Sequence, residues 1–392
     1  MGFRCTSRMK RLLTGLLLIA VLAGTAAAGG AKLERVLAVE WQAGGGKLRW
    51  VSPTTMRPLG SAVMNVGGAP ADILATSPDG ALAAIGGGEN GRLRFVRLDG
   101  LRPAGLMWLG GASAFKGIWS APDRLVVLVG GETAEVVTVD PAARRVLHRE
   151  PLPGLALGVV RAGNRLLTLL APRGRVGTAQ LVAVEADGTV RTVALDGIAA
   201  GFAPPAAAGA AGRQASPALA ANGSRAVVVG VDRLAEIKLE TMAVTGRPIV
   251  SRTTQRAAKL VHGWQRSAVW LHGDTIALWG STLGPEEPIS IGVRLLNVAT
   301  GRERMLDAFA IEAARAGSTL LTYGRDEVGG YRLDATKRFT VLQGTDTGYV
   351  QTAGRWAYVG SGNSTRFAVV DVAGGRVVGH VRTAKPTTVF VP

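Results

Sequence analysis

One unit of turn, strand, turn, strand and turn recurs along this chain, and it is clearest from Ser77 to Gly100, SPDGALAAIGGGENGRLRFVRLDG. Ser77-Pro78-Asp79-Gly80 has the composition of a tight turn, because proline pre-sets φ and glycine supplies a positive φ. Ala81 to Ile85 is a short apolar run stopped by Gly86-Gly87-Gly88. Arg92 to Leu98 then alternates in character, and Asp99-Gly100 carries a hairpin composition. A chain built from such units can bury them only by packing sheet on sheet.

The repeat is tested by aligning the polar residue that closes one strand of each unit. Val96-Arg97-Leu98-Asp99, Val137-Thr138-Val139-Asp140, Val182-Ala183-Val184-Glu185, Ile237-Lys238-Leu239-Glu240, Tyr331-Arg332-Leu333-Asp334 and Ala368-Val369-Val370-Asp371 match. Leu295-Leu296-Asn297 and Trp50-Val51-Ser52 are degenerate members. From Ser52 onward the successive gaps are 47, 41, 45, 55, 57, 37 and 37 residues. Four short strands with their turns occupy about 40–45 residues in one blade of a propeller. Helical periodicity is nearly absent, and Ala308 to Ala316 is the one stretch that could make a turn or two of helix. The expected fold is therefore an all-β propeller of seven to eight four-stranded blades. The first unit, from Glu34, lacks an innermost strand, and Thr387 to Val391 is left over at the other end. Pairing of these N- and C-terminal strands would close the ring and remove an open edge.

Two long gaps have visible causes. Residues 199–215 form an Ala/Gly/Pro-rich insertion that reads as a flexible loop. Residues 247–291 enlarge the next unit and include Pro285-Glu286-Glu287-Pro288. These excursions make the largest loops and are the leading candidates for contact with a ligand.

The first 28 residues read as a signal peptide rather than as part of the fold. Arg4, Arg8, Lys10 and Arg11 are followed by an apolar run, Leu12 to Ala23, and by small residues at Ala26-Ala27-Ala28. That run is short for a membrane span, which takes about 20 residues; an uncleaved anchor is the alternative. The reading is a single exported propeller domain over residues 29–392, secreted or held in the cell envelope, with no membrane span once the signal is cleaved. Its removal takes away Cys5, the only cysteine, so the mature chain has neither a disulfide nor a thiolate nucleophile. The formal charge of +17 falls to +13, since four basic residues leave and no acidic one does. Arginine is spread along strands and turns, which reads as a solvated basic surface, with attraction to anionic polymers as the second reading. No nucleic-acid-binding motif accompanies the charge.

The units resemble the YVTN-type and tryptophan–aspartate-type propeller repeats. Ser77-Pro78-Asp79-Gly80 resembles their inter-strand turn. Val369-Val370-Asp371-Val372-Ala373-Gly374-Gly375-Arg376-Val377-Val378 and Leu296-Asn297-Val298-Ala299-Thr300-Gly301-Arg302 resemble their strand–turn–strand. The resemblance spans roughly residues 33–392 and implies the fold. It implies no activity, because these families include scaffolds, surface proteins and some enzymes.

The densest group of chemistry-bearing side chains is VHGWQRSAVWLHGDTIALWG, which supplies His262, Trp264, Trp270 and His272 as candidate ligand-binding residues. Trp270 and His272 fall on one face of a strand. Aromatic side chains there could stack on a ligand ring, and core packing is the commoner use of tryptophan. None of the four histidines has a zincin spacing, and no metal ligand set is assigned. Carboxylates such as Asp79, Asp99, Asp123, Asp140, Asp274, Asp334 and Asp371 sit at strand ends and serve as turn formers. The expectation is a monomeric, non-catalytic binding or scaffold module for a protein or an anionic cell-surface polymer. The alternative is a hydrolase or lactonase that uses a divalent cation, calcium above all, in the central channel.

Overall fold

The computed structural model describes residues 35–390, apart from residues 43–44, 68–70, 88–90, 111–112, 131–132, 205–212, 251–261, 284–287, 346 and 361–364. The expected signal peptide, residues 1–28, lies outside the described residues. Every described element is a strand, and apart from the short strand Arg213–Ser216 they are joined as antiparallel meanders. In the second meander, Ala71–Thr76, Leu82–Gly87, Arg92–Arg97 and Arg102–Trp108 pair in chain order. Of the polar residues aligned in the sequence, Asp140, Glu185, Asn297 and Asp371 end their strands. Asp99, Glu240 and Asp334 lie two residues beyond the strands Arg92–Arg97, Arg233–Lys238 and Val328–Arg332.

Successive meanders pack face to face. The innermost strands Ala71–Thr76, Ser113–Ala121, Leu155–Ala162, Ala218–Ala221 and Gly263–His272 touch one another in turn, and so do Ala310–Ala316 and Tyr349–Ala353. This is the β-propeller architecture. The core is a series of slabs between sheets instead of one central mass. In Arg124–Gly130, Val127 packs toward the preceding meander while Val126 and Leu128 pack toward the following one. With both faces covered, such strands read as unbroken apolar runs in place of polar–apolar alternation.

Six sheets are separate four-stranded blades, which corrects the expectation of seven to eight such blades. The remaining ten strands merge into a single sheet. The cause is a short strand, Arg213–Ser216, which pairs antiparallel with the end of Val190–Ala203 and parallel with the start of Gly263–His272. It joins the fourth meander to the sixth across the fifth. The insertion expected to be a loop at residues 199–215 thus contains ordered strand at both ends, with residues 205–212 outside the described residues. Ala310–Ala316 is a strand, not the helical turn its alanines suggest, because its place as an innermost strand overrides weak local propensity.

The last strand, Thr387–Phe390, pairs antiparallel with Val36–Gln42, with Leu37 opposite Phe390 and Glu40 opposite Thr387. Gln351 Oε1 accepts a hydrogen bond from the Val389 amide at 2.7 Å, so Tyr349–Ala353, the innermost strand of the preceding four-stranded blade, also holds this strand.

Arginines pin neighbouring meanders together. Arg149 donates to Leu109 O at 3.0 Å, Arg191 to Leu239 O at 2.8 Å, Arg315 to Trp270 O at 2.7 Å and Arg338 to Ala373 O at 3.0 Å. Arg225 pairs with Asp274 at 2.7 Å across the fifth and sixth meanders. Part of the basic excess is therefore structural, satisfying carbonyls that a turn leaves without partners.

Candidate functional site

The bridged end of the propeller is the candidate site, and strand lengths produce it. The outer strand of the fourth meander, Val190–Ala203, has 14 residues, and the first two of the sixth, Gly263–His272 and Thr275–Leu283, have 10 and 9. Those of the fifth, Ala218–Ala221 and Arg225–Val229, have 4 and 5. The long strands overshoot the short meander, and Arg213–Ser216 fills the space between them. The described strands of the two excursions singled out in the sequence are thus brought together as one sheet.

Close backbone approach is needed for this arrangement. A Cβ on Gly263 would run into the backbone of Gln214, and one on Gly280 would run into Gln265 O. Gly280 also has φ +140°, a conformation that other residues rarely adopt. The His262 carbonyl accepts from the Gln214 amide at 3.2 Å, and the His262 amide donates to Leu283 O at 3.0 Å.

The four residues named from the sequence do not form one cluster. His262 and His272 sit at opposite ends of a ten-residue strand, which puts them about 30 Å apart. Both are exposed. Trp270 is buried among Ile249, Leu278 and Leu296. Its Nε1 donates to Gly273 O at 3.1 Å, and the Arg225 guanidinium lies 5.0 Å over its ring. Trp270 is occupied as a packing residue. His262 and half-buried Trp264 remain at the bridged end, joined there by exposed Phe202, exposed Arg213 and half-buried Gln214.

Beneath Trp264 lies an unusual cation. The Arg266 guanidinium is 5.9 Å from the Trp264 ring centre and is buried. Its Nη1 donates to Gln265 O at 3.0 Å and Ser281 O at 2.6 Å. Burial pushes its pKa down to about 10; Glu303 opposes the shift and Arg294 adds to it. Arg294 is itself buried, ion-paired with Glu303, and donates from Nε to Ile291 O at 2.9 Å. The indole over a fixed positive charge makes a platform suited to flat or electron-rich groups. Among the described residues, no three His, Cys, Asp or Glu side chains lie close enough together to hold a metal ion.

Sequence reading missed Arg213–Ser216 as a strand, since four residues after a low-complexity run give too short a period to recognise. Its partner, Gly263–His272, is legible as a strand through Trp270 and His272, but nothing local marks its first residues as the point of a parallel pairing. The chain matches no protein-family model and no curated protein sequence. Solved structures resemble it in fold. A dihydro-heme d1 dehydrogenase, NirN, in complex with DHE, superposes with a TM-score of 0.60 at 12% identity, covering 94% of this chain and 77% of that one. Apo AztD from Citrobacter koseri gives 0.55 at 12% identity, covering 91% and 98% of the two chains. The computationally designed Ika8 protein gives 0.52 at 10%, covering 89% and 96%. At such identities the likeness shows the β-propeller fold alone.

Proposed function

We propose that this chain is an exported, non-catalytic β-propeller that works as a binding or scaffold module, with the bridged end as its contact surface. One observation carries the reading: the described parts of both long excursions converge there as paired strands, and together they present His262, Trp264, Phe202 and Arg213. Segments inserted into a rigid scaffold are where binding surfaces commonly arise. A basic leader followed by an apolar run supports export to the cell envelope or beyond. The partner in this reading is a protein or an anionic cell-surface polymer, and the module acts as a monomer. Pairing of Thr387–Phe390 with Val36–Gln42 supports a ring latched by its own ends.

The test is site-specific photo-crosslinking in the native envelope. A crosslinker at Phe202 or His262 should capture the same adduct, whereas one at Asp123, an exposed turn at the opposite end, should capture none. Equal capture at all three positions, or none at any, would remove the assignment. A titration with calcium, magnesium and manganese completes the test. A saturable rise in melting temperature would put a cation-dependent hydrolase ahead of the binding module.

A further inference from the structure

A second surface, on the outer rim of the first three meanders, carries chemistry that the bridged end does not. A groove of about 550 Å³ runs between Met64–Gly67, the outer strand of the first meander, and Arg102–Trp108, the outer strand of the second. Val63, Leu101, Pro103 and Leu106 make its apolar wall, and Arg94 and Arg144 are its cations. No acidic side chain lines it. Val63 is 45% exposed, Leu106 49%, and Trp108 continues the Leu106 face at 70%. Tryptophan and arginine are the residue types enriched at interface centres.

The cations are available. Arg149 pairs with Glu135 at 2.9 Å, Arg165 with Glu185 at 2.7 Å and Arg225 with Asp274 at 2.7 Å. Among the described residues, no carboxylate pairs with Arg94 or Arg144. Arg94 is half-buried and stands opposite Leu106 across the ladder, so its charge faces the groove beside an apolar side chain. The Arg144 stem lies against Gly105, and its backbone is held at φ 54°. A ligand that brings carboxylates and apolar side chains together satisfies both halves of this surface.

Strand addition is not the mode of capture. Pro103 has no N–H to offer, and the register shifts between Phe95 and Val96, placing a bulge beside Ala104. The occupant is held by its side chains.

We propose that this groove docks an acidic segment of a partner protein, its carboxylates on Arg94 and Arg144 and an apolar side chain between Val63 and Leu106. The proposal rests on the binding-module reading and gives it a second, chemically defined contact.

The experiment is fluorescence anisotropy with the full mature chain and a fluorescein-labelled probe, Asp-Leu-Glu-Phe-Asp-Leu-Glu. Two control probes replace the apolar residues by Ser or the acidic residues by Lys. Saturable binding of the first probe is expected, at least about tenfold tighter than either control. The double variant R94Q/R144Q should weaken it about tenfold or more, and Trp108→Ala should weaken it less. Phe309→Ala, at an exposed position outside the groove, should leave it unchanged. Equal affinity for the Ser probe would mean attraction of a polyanion to a basic chain and would overturn the proposal. So would unchanged binding by R94Q/R144Q, or a dimer in sedimentation that Leu106→Ser and Trp108→Ala convert to monomer, since a second copy would then be the occupant. Crosslinks from Phe202 without probe binding would remove the groove and leave the binding module standing; loss of both would remove both.

Discussion

The Tyr358 hydroxyl donates a hydrogen bond to the Pro53 carbonyl across 2.9 Å, joining residues 305 positions apart in the chain. Tyr358 is buried, and its ring meets Phe367 edge to face at 6.1 Å. Burial pushes the phenol pKa up, so it stays a neutral donor. Replacing Tyr358 by Phe keeps the ring and orphans the carbonyl, which costs about 1–3 kcal/mol. Urea unfolding of Tyr358→Phe should show a loss in that range at unchanged slope. An unmoved midpoint would mean that water reaches Pro53.

Removing residues 387–392 uncovers the backbone edge of Val36–Gln42 and the amide partner of Gln351. The melting temperature of the truncated chain should fall by several degrees. At about 2.1 cal/mol/K per residue, each kcal/mol lost corresponds to about 1–2 °C in a chain of this length, and losing a whole paired strand costs several kcal/mol. Val389→Asp, which keeps the length but charges a buried position, should do the same. A truncated protein that melts with the full chain would dismiss the latch.

Two glycines with positive φ separate strain from crowding. Gly280→Ala brings a Cβ against Gln265 O at φ +140° and should cost about 2–4 kcal/mol. Gly273→Ala, at φ +50° with open space around it, should cost only about 1 kcal/mol. Similar costs for both would show that the bridged end relaxes without loss.

Stability should respond to pH in two separate windows. Burial raises the Glu312 pKa above its ordinary 4.5, with a partial offset from the Tyr323 hydroxyl, which donates at 2.7 Å. A raised pKa means that the native state holds the proton more tightly. This contribution is full below the unfolded pKa and is lost as pH rises through the folded one. Glu312→Gln should abolish that decline. The Asp371 carboxyl lies below its ordinary 3.8, chiefly through its hydrogen bonds from Arg355. Its contribution is present above 3.8 and is lost as pH falls further, so Asp371→Asn should flatten only the acid limb. A variant that alters the other window would contradict these assignments.

The sequence made the turns legible because their chemistry is local. Asp79 Oδ1 accepts from the Ala81 amide at 3.0 Å and from the Ser77 hydroxyl at 2.5 Å, within five residues of chain. Asn297 likewise caps Thr300 at 2.9 Å before Gly301 turns at φ +69°. The Arg225–Asp274 and Arg338–Ala373 pins were not legible, because nothing in the chain says which turn of the next meander an arginine will meet. The same holds for the candidate site. His262 and Trp264 were visible as residues, but their neighbours Phe202 and Gln214 lie about 50–60 positions earlier and arrive only through the parallel pairing of Gln214 with Gly263. Trp270 was misleading, since stacking surface and buried packing use the same side chain.

The strand Arg213–Ser216 has a consequence for how such a ring could change in size. The chain leaves the ten-stranded sheet at Ser216 and re-enters it at Gly263, one strand away. The fifth meander, Ala218 to Pro248, is therefore a cassette inserted between two points that already hold each other by backbone hydrogen bonds. A duplication, loss or exchange of that cassette would begin and end on a pre-joined seam. Among the described residues no other single meander lies between strands that are already paired to each other, so this is where such an event would meet a junction already made.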